Sequence, residues 1–259
     1  MRAAAAALAA AVALTLAACG SDGPAAPAGG SGGGVTGDVT VFAAASLTES
    51  FNRLGEEFEA ANPGTTVTFN FAGSSALATQ ITQGAPADVF AAASPATMQT
   101  VVDAGDADGA PTVFVKNQLV IAVPRGNPRG IAALGDLSKA DLKVALCAEQ
   151  VPCGAAASKA LAAAGVKLTP VTLEQDVKAA LQKVRLGEVD AALVYRTDAR
   201  AAAAEVEGVE FPESAQAVND YPIVVLKNAP NKAAAQAFLA FVQSARGRAV
   251  LGEAGFQVP

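Results

Sequence analysis

Apolar positions along the chain change their period from the spacing of a strand to the spacing of a helix. Residues 39–43 are almost all apolar, as in a buried strand. Large apolar side chains then recur at spacings of four, three and four, as on one face of a helix: Leu47, Phe51, Leu54 and Phe58. Ser46 and Glu49 fit a capping box with Ser46 at the N-cap.

The same order of strand and helix recurs twice in the following segment. Residues 66–71 alternate as a strand before helical spacing begins at Leu77, and residues 88–92 form another apolar strand. Ser94 and Pro95 then provide an N-cap and a proline at the first helical position. Three repeats of this order predict a parallel α/β sheet.

A second α/β series follows a long apolar strand at residues 119–123. The remaining predicted elements are a strand at 143–147, a helix at 154–164, a helix carrying Val177, Leu181 and Val184, a strand at 190–195, a late strand at 221–227 and one long helix at 233–251.

Two series predict two lobes, each a mostly parallel sheet flanked by helices. We assign residues 38–122 and 223–259 to lobe 1 and residues 123–222 to lobe 2, with a ligand cleft between them.

Serine occupies two junctions where a strand pattern gives way to a helical one, at Ser46 and at Ser74-Ser75. A serine at such a junction presents its hydroxyl together with the free backbone N–H groups of a helix start. These groups bind an anion without any cationic side chain, so the sequence predicts a site for a small oxyanion.

Composition excludes several other classes of function. The chain has 259 residues, a formal charge of −6, no basic run and no tryptophan, which argues against nucleic-acid binding. It has no histidine, the commonest general base and metal ligand, and we therefore predict that it is not an enzyme and has no catalytic residues.

The N-terminus is typical of a targeting segment. Residues 1–18 contain one arginine and an apolar run too short to span a bilayer. The segment Leu16-Ala17-Ala18-Cys19 at their end resembles a bacterial lipobox. We predict cleavage before Cys19 and lipidation of its sulfur, the alternative being an ordinary secretory signal. Residues 19–37 are rich in Gly, Ala, Pro and Ser and predict a flexible linker.

With Cys19 lipidated, Cys147 and Cys153 are the two remaining cysteines. Because export places them in an oxidising compartment, they predict a disulfide. Two free buried thiols and a redox-active pair are the alternatives. Two cysteines without histidine cannot assemble a zinc site.

Six segments, in order, resemble the periplasmic molybdate-binding proteins of ABC importers: 41–47, 71–78, 84–90, 151–154, 174–178 and 193–199. The resemblance extends from about residue 38 to 259 and implies a two-lobed periplasmic-binding-protein fold of type II. It also implies that a molybdate or tungstate ion lies between the lobes as a ligand, with no cofactor and no direct metal ligand.

The family pattern implies five ligand-binding residues. Ser46 and Ser74 would each provide a hydroxyl and a backbone N–H, Cys153 and Val177 a backbone N–H, and Tyr195 its phenol hydroxyl. Ser75 is the alternative to Ser74. Cys153 and Gly73 depart from the pattern, which often has alanine and serine there, and Gly73 predicts a looser loop.

The resemblance further implies an extracytoplasmic monomer that is held at the membrane by its lipid. It would deliver the anion to an ABC permease and would have no nucleic-acid partner. Alternatives are a receptor for sulfate or thiosulfate, or a secreted serine hydrolase using Ser46 or Ser74, which the missing histidine and G-x-S-x-G motif oppose. A ferric-ion receptor would need more tyrosines than Tyr195 and Tyr221.

Overall fold

Two five-stranded sheets organise the chain in a computed structural model that describes residues 34–259. The strands are β1 (Gly37–Ala44), β2 (Thr65–Ala72), β3 (Val89–Ala91), β4 (Thr112–Asn117), β5 (Leu119–Pro124), β6 (Val144–Cys147), β7 (Thr172–Glu174), β8 (Ala191–Tyr195), β9 (Val206–Val209) and β10 (Asn219–Val225). The α-helices are α1 (Thr48–Ala61), α2 (Ser74–Thr82), α3 (Pro95–Asp103), α4 (Pro152–Ala164), α5 (Val177–Arg185), α6 (Arg196–Ala201), α7 (Lys232–Gln243) and α8 (Ala245–Ala254).

The two sheets share one strand order. Sheet 1 runs β2-β1-β3-β10-β4 and sheet 2 runs β7-β6-β8-β5-β9. In each sheet four strands point one way, and a single strand, β10 or β5, pairs antiparallel with both neighbours. That strand is the one by which the chain enters from the other sheet. The predicted α/β class with two mostly parallel sheets is confirmed.

The chain crosses between the sheets twice. It first crosses at Gln118, between β4 and β5, and later returns between β9 and β10. The predicted lobe boundary at 122/123 divides β5, although that strand pairs within sheet 2 up to Pro124. The predicted boundary at 222/223 divides β10, which pairs within sheet 1 from Asn219.

The central strands β5 and β8 of sheet 2 are continuous apolar runs and are buried along nearly their whole length, as expected where helices cover both faces of a sheet. Sheet 1 carries an aromatic core in which Phe238 of α7 packs against Phe51 and Phe58 of α1, with ring centroids 6.2 and 5.4 Å apart. In sheet 2 every residue of β8 is buried. This packing holds the strand ends in place for the site described below.

Two helix predictions are wrong in detail. Ser46 lies inside a single 3₁₀ turn, Ala45–Leu47, and its side chain caps no helix because it bonds to a distant tyrosine. The long helix at 233–251 is two helices, because the hydroxyl of Ser244 accepts the N–H of Gly247 and starts α8. A side chain at 247 would lie 2.1 Å from the Val242 carbonyl oxygen.

Strands β4, β7 and β9 were not predicted, whereas Ser94 caps α3 ahead of Pro95 as predicted. The predicted signal peptide, Cys19 lipidation and most of the linker lie outside the described residues. Between residues 34 and 259, no helix combines the length and apolar character needed to cross a membrane.

Candidate ligand-binding site

A small cavity lies where the carboxyl ends of the parallel strands of both sheets meet. It contains about 220 Å³ of space free of atoms, its open side included. It is lined by Ala44, Ala45, Ser46, Ala72, Gly73, Ser74, Ala93, Val151, Pro152, Cys153, Asp176, Val177 and Tyr195. The structure thus brings together all five residues that the sequence predicted for an anion site.

Each of these five residues stands where a strand gives way to a helix. Ser74 and Val177 are the first residues of α2 and α5, Cys153 is the second residue of α4, and Tyr195 directly precedes α6. Ser46 lies in the 3₁₀ turn between β1 and α1. The first N–H groups of a helix have no partner within the helix, so several free donors face one cavity.

Ser74 is held with its oxygen as an acceptor. It is only 1% exposed, and its Oγ accepts the N–H of Ala93 at 2.9 Å. The hydroxyl proton of Ser74 is therefore available to a group in the cavity. The neighbouring Ser75 is partly exposed and does not line the cavity.

Ser46 is tied to a second buried tyrosine. Its Oγ shares a 2.8 Å hydrogen bond with the hydroxyl of Tyr221, and the Asn117 Nδ2 lies 3.5 Å behind that hydroxyl. Asn117 also donates to the Thr197 Oγ1 at 2.9 Å, which joins the end of β4 to the start of α6. This network holds the Ser46 side chain away from the start of α1.

Tyr195 is fully enclosed, and its phenol oxygen accepts a hydrogen bond from the Asn219 Nδ2 at 3.0 Å. Its ring packs edge-to-face on Tyr221 at 5.9 Å. Burial, with the neighbouring Tyr221 as a further cause, raises the pKa of Tyr195 well above its ordinary value, and burial likewise raises the pKa of Tyr221. Both phenols therefore stay protonated and neutral across physiological pH.

No lysine or arginine is among the lining residues. Asp176 is the one carboxylate there, and its Oδ1 accepts the N–H of Ala179 at 2.9 Å as the N-cap of α5. Its charge is thus directed to its own helix start. The hydrogen-bond donors at the cavity are therefore backbone N–H groups and hydroxyls.

Charged side chains lie next to the cavity without lining it. Lys178 Nζ bonds both carboxylate oxygens of Glu49 at 2.7 Å and lies 3.1 Å from the Oδ1 of Asp198. Burial raises the pKa of Asp198 to about 6, although Lys178 opposes this effect. Because Glu49 is on α1 and Lys178 on α5, this ion pair joins helices of the two sheets.

Gly73 lies close to the backbone on the other side of the cavity. A Cβ at this position would lie 2.3 Å from the carbonyl oxygen of Gln175, which follows β7 in the other sheet. The expectation of a looser loop is therefore replaced by a steric reason for glycine: no side chain fits here while the two sides are in contact.

The predicted disulfide is present between Cys147 and Cys153, whose Cα atoms are 5.7 Å apart. It links the end of β6 to the first turn of α4. Gly154 follows, where a Cβ would lie 2.0 Å from the Ala148 carbonyl oxygen, so the helix start packs tightly on the strand end. Position 153 is thereby held with its backbone at the cavity.

Sequence reasoning missed the residues that orient the hydroxyls: Asn117, Asn219 and Tyr221. All three are buried and lie on strands. A polar residue at the end of a strand with an apolar centre, such as Asn117, is a signal that could have indicated a buried hydrogen-bond partner. The identity of that partner depends on the strand order.

Comparisons with known proteins identify relatives of the chain. The family model for bacterial extracellular solute-binding proteins matches residues 39–257. The molybdate-binding protein ModA of Mycobacterium tuberculosis is 48% identical over 245 residues, which are 94% of this chain and 93% of the relative.

Two solved structures show the same fold. The periplasmic molybdate-binding protein of Azotobacter vinelandii superposes with a TM-score of 0.75 at 21% identity, over 85% of this chain and 99% of that protein. The sulfate-binding protein SubI of Mycobacterium tuberculosis gives a TM-score of 0.73 at 19% identity, over 85% and 86%.

Proposed function

Because the chain belongs to the family of bacterial extracellular solute-binding proteins, we propose that it captures molybdate for an ABC importer. The relative that is 48% identical is named as a molybdate-binding protein, which supports molybdate as the ligand. We extend the proposal to tungstate, which has nearly the same size and the same charge.

The observation that carries the proposal is the convergence of helix starts from both sheets on one cavity without basic side chains. A helix N-terminus contributes about half a positive charge, so the starts of α2, α4 and α5 together provide about +1.5, opposite in sign to a dianion. The overall negative charge of the protein does not oppose this local effect.

The donors also explain selection against protonated anions. Ser46, Ser74 and Tyr195 offer hydroxyl protons, and Cys153 and Val177 offer N–H groups. Hydrogen phosphate would bring a proton that needs an acceptor, and none of these five ligand residues carries a carboxylate; Asp176 is not among them and caps its own helix. An unmatched buried proton donor costs about 1–3 kcal/mol, so phosphate should bind more weakly.

The two sheets and their helices form the two lobes of this proposal, with the ligand cleft between them and the crossing strands as hinge. The strand pairings support lobe boundaries near Gln118 and Asn219. Binding and release involve no catalytic step. We further propose that lipidated Cys19 holds a monomeric protein on the outer face of the membrane, where a permease receives the anion.

Titration calorimetry of the mature protein with molybdate, tungstate, sulfate and phosphate tests the proposal. We expect strong heat for molybdate and tungstate and little for the other two. Ser74→Ala should weaken molybdate binding at least tenfold, because a hydrogen bond to a charged group is worth about 1.5–3 kcal/mol, while the matched control Ser75→Ala should not. Tight sulfate binding without molybdate heat would refute the ligand assignment.

An assay of generic ester hydrolysis tests the alternative that the protein is a serine hydrolase. Hydrolysis that disappears in the Ser46→Ala variant would support a serine hydrolase and contradict the proposal. The family membership and the missing histidine argue for the opposite outcome, in which no variant changes a background rate.

A further inference from the structure

A buried asparagine, Asn219, lies behind the phenol of Tyr195 and outside the set of cavity-lining residues. It is the first residue of β10 and is 9% exposed. Its Nδ2 donates to the Tyr195 hydroxyl at 3.0 Å and to the Ala93 carbonyl oxygen at 2.7 Å. Both protons of the side-chain amide nitrogen are therefore used.

The contact with Ala93 determines which way the amide of Asn219 faces. A backbone carbonyl only accepts hydrogen bonds, so the group that faces it has to be the NH₂ end of the side chain. The same NH₂ group faces the phenol of Tyr195, whose oxygen is consequently the acceptor. Since a phenol has a single proton, that proton is left for another acceptor.

Ala93 extends this arrangement to the opposite side of the cavity. Its N–H donates to the Ser74 Oγ at 2.9 Å, and its carbonyl oxygen accepts from Asn219. The oxygens of Ser74 and Tyr195 are thus both occupied as acceptors by fixed donors behind them. Because Asn219 belongs to sheet 1 and Tyr195 to sheet 2, the same amide also joins the two sides of the cavity.

We propose that Asn219 is a positioning residue for anion binding: by donating to the Tyr195 oxygen, it leaves the phenol proton for the ligand. This inference rests on the proposed function and adds a specific role for a residue that does not itself line the cavity. The contact between Asn219 and the Ala93 carbonyl also helps to orient Ser74, because the N–H of Ala93 donates to the Ser74 Oγ.

The first test is a double-mutant cycle on molybdate affinity. Asn219→Leu keeps the side-chain volume but donates nothing, and we expect it to weaken binding about tenfold, the value of one hydrogen bond in this setting. In the Tyr195→Phe background, which lacks the phenol oxygen, the same change should cost less than about threefold. Equal losses in both backgrounds would overturn the proposal, because Asn219 would then not act through Tyr195.

A second variant keeps the proposal testable if the Asn219→Leu protein does not fold. Asn219→Asp has nearly the same shape but only accepts, so it competes with the ligand for the Tyr195 proton and should weaken binding more than tenfold. Binding equal to that of the unmodified protein would refute the idea. Asn70→Leu is the matched control, since Asn70 lies on β2 of the same sheet and donates to the Gln80 Oε1 at 3.0 Å, away from the cavity. It should bind as the unmodified protein does.

Tyrosine absorbance gives a readout that does not depend on the ligand. The chain has two tyrosines and no tryptophan, so in a Tyr221→Phe background the tyrosine band of the near-ultraviolet spectrum reports on Tyr195. Adding Asn219→Leu should shift this spectrum in the ligand-free protein, whereas adding Asn70→Leu should not. If the unmodified protein binds no molybdate, the proposed function fails, and the spectral comparison still decides whether Asn219 bonds to Tyr195.

Discussion

Replacement of Gly73 by alanine is expected to prevent the two sides of the cavity from meeting. Gly73 has φ −59° and ψ 132°, which any residue adopts, so the change causes no backbone strain. The new Cβ would lie 2.3 Å from the Gln175 carbonyl oxygen, and about 1.1 Å of separation is needed to reach an ordinary contact of 3.4 Å.

Local movement of Gln175 cannot easily supply this separation. The obstructing atom is backbone, and both neighbouring residues are held. The Glu174 carbonyl accepts the N–H of Ala148 at 2.8 Å, and the Asp176 side chain caps α5. The strain is therefore expected to open the cleft.

The loss of affinity follows from the distances between the ligand and the donors that belong to sheet 2. Hydrogen bonds of about 2.9 Å from Cys153 and Val177 would lengthen to about 4 Å, beyond hydrogen-bonding distance. Loss of one or two bonds to a charged ligand costs about 3 kcal/mol, or roughly a hundredfold in Kd. The melting temperature of the ligand-free protein should stay nearly unchanged, because the clash arises only on closure.

Titration calorimetry with molybdate measures the Kd, and small-angle scattering measures whether the ligand still makes the protein more compact. Gly135→Ala is the matched control, because a Cβ there meets no atom within 4 Å. A Gly73→Ala protein that binds within about threefold of the unmodified one, with the same compaction, would refute the reasoning.

Three further predictions concern the groups around the cavity. Replacing Cys147 and Cys153 by serine should lower the free energy of unfolding by about 2 kcal/mol in denaturant titrations, since the disulfide closes a short loop, and should leave the Kd within about threefold because position 153 donates through its backbone. Asp198→Asn should change the pH dependence of stability, because the pKa of about 6 means that the folded state favours the protonated carboxyl. The stability that Asp198 adds is present below about pH 4 and lost as the pH rises through 6, so the unmodified protein should gain up to about 3 kcal/mol over the variant between pH 7 and pH 4. Glu49→Gln, which removes the contact with Lys178, should weaken molybdate binding about threefold at low salt and less at high salt, because exposed ion pairs are screened.

Each of these expectations has a contradicting result. Loss of molybdate binding in a folded cysteine variant would show that the backbone donor at position 153 needs the disulfide. Parallel stability curves for the unmodified and Asp198→Asn proteins would show that this carboxyl does not titrate near 6. A salt-independent loss in the Glu49→Gln protein, or an equal loss in the control Glu56→Gln on the exposed face of α1, would exclude an ion pair across the cleft.

Local pattern in the sequence determined the elements of this protein and the chemistry at their ends. Alternation of strand and helical spacing is decided by neighbouring residues, so the fold class and most elements were predictable. The junction serines and the six family segments similarly indicated the five residues that the structure brings to one cavity. Predictions failed where a distant contact overrode local preference, as for Ser46, which bonds to Tyr221 and caps no helix.

The tertiary structure alone decided how these junctions face one another and what orients their hydroxyls. Ser46 and Tyr221 are 175 residues apart in the chain, and Asn219 and Tyr195 belong to different sheets. Gly73 has ordinary backbone angles, and its need for glycine comes only from Gln175 across the cavity. Such contacts depend on strand order and on the meeting of two sheets, and residues close in sequence carry no information about either.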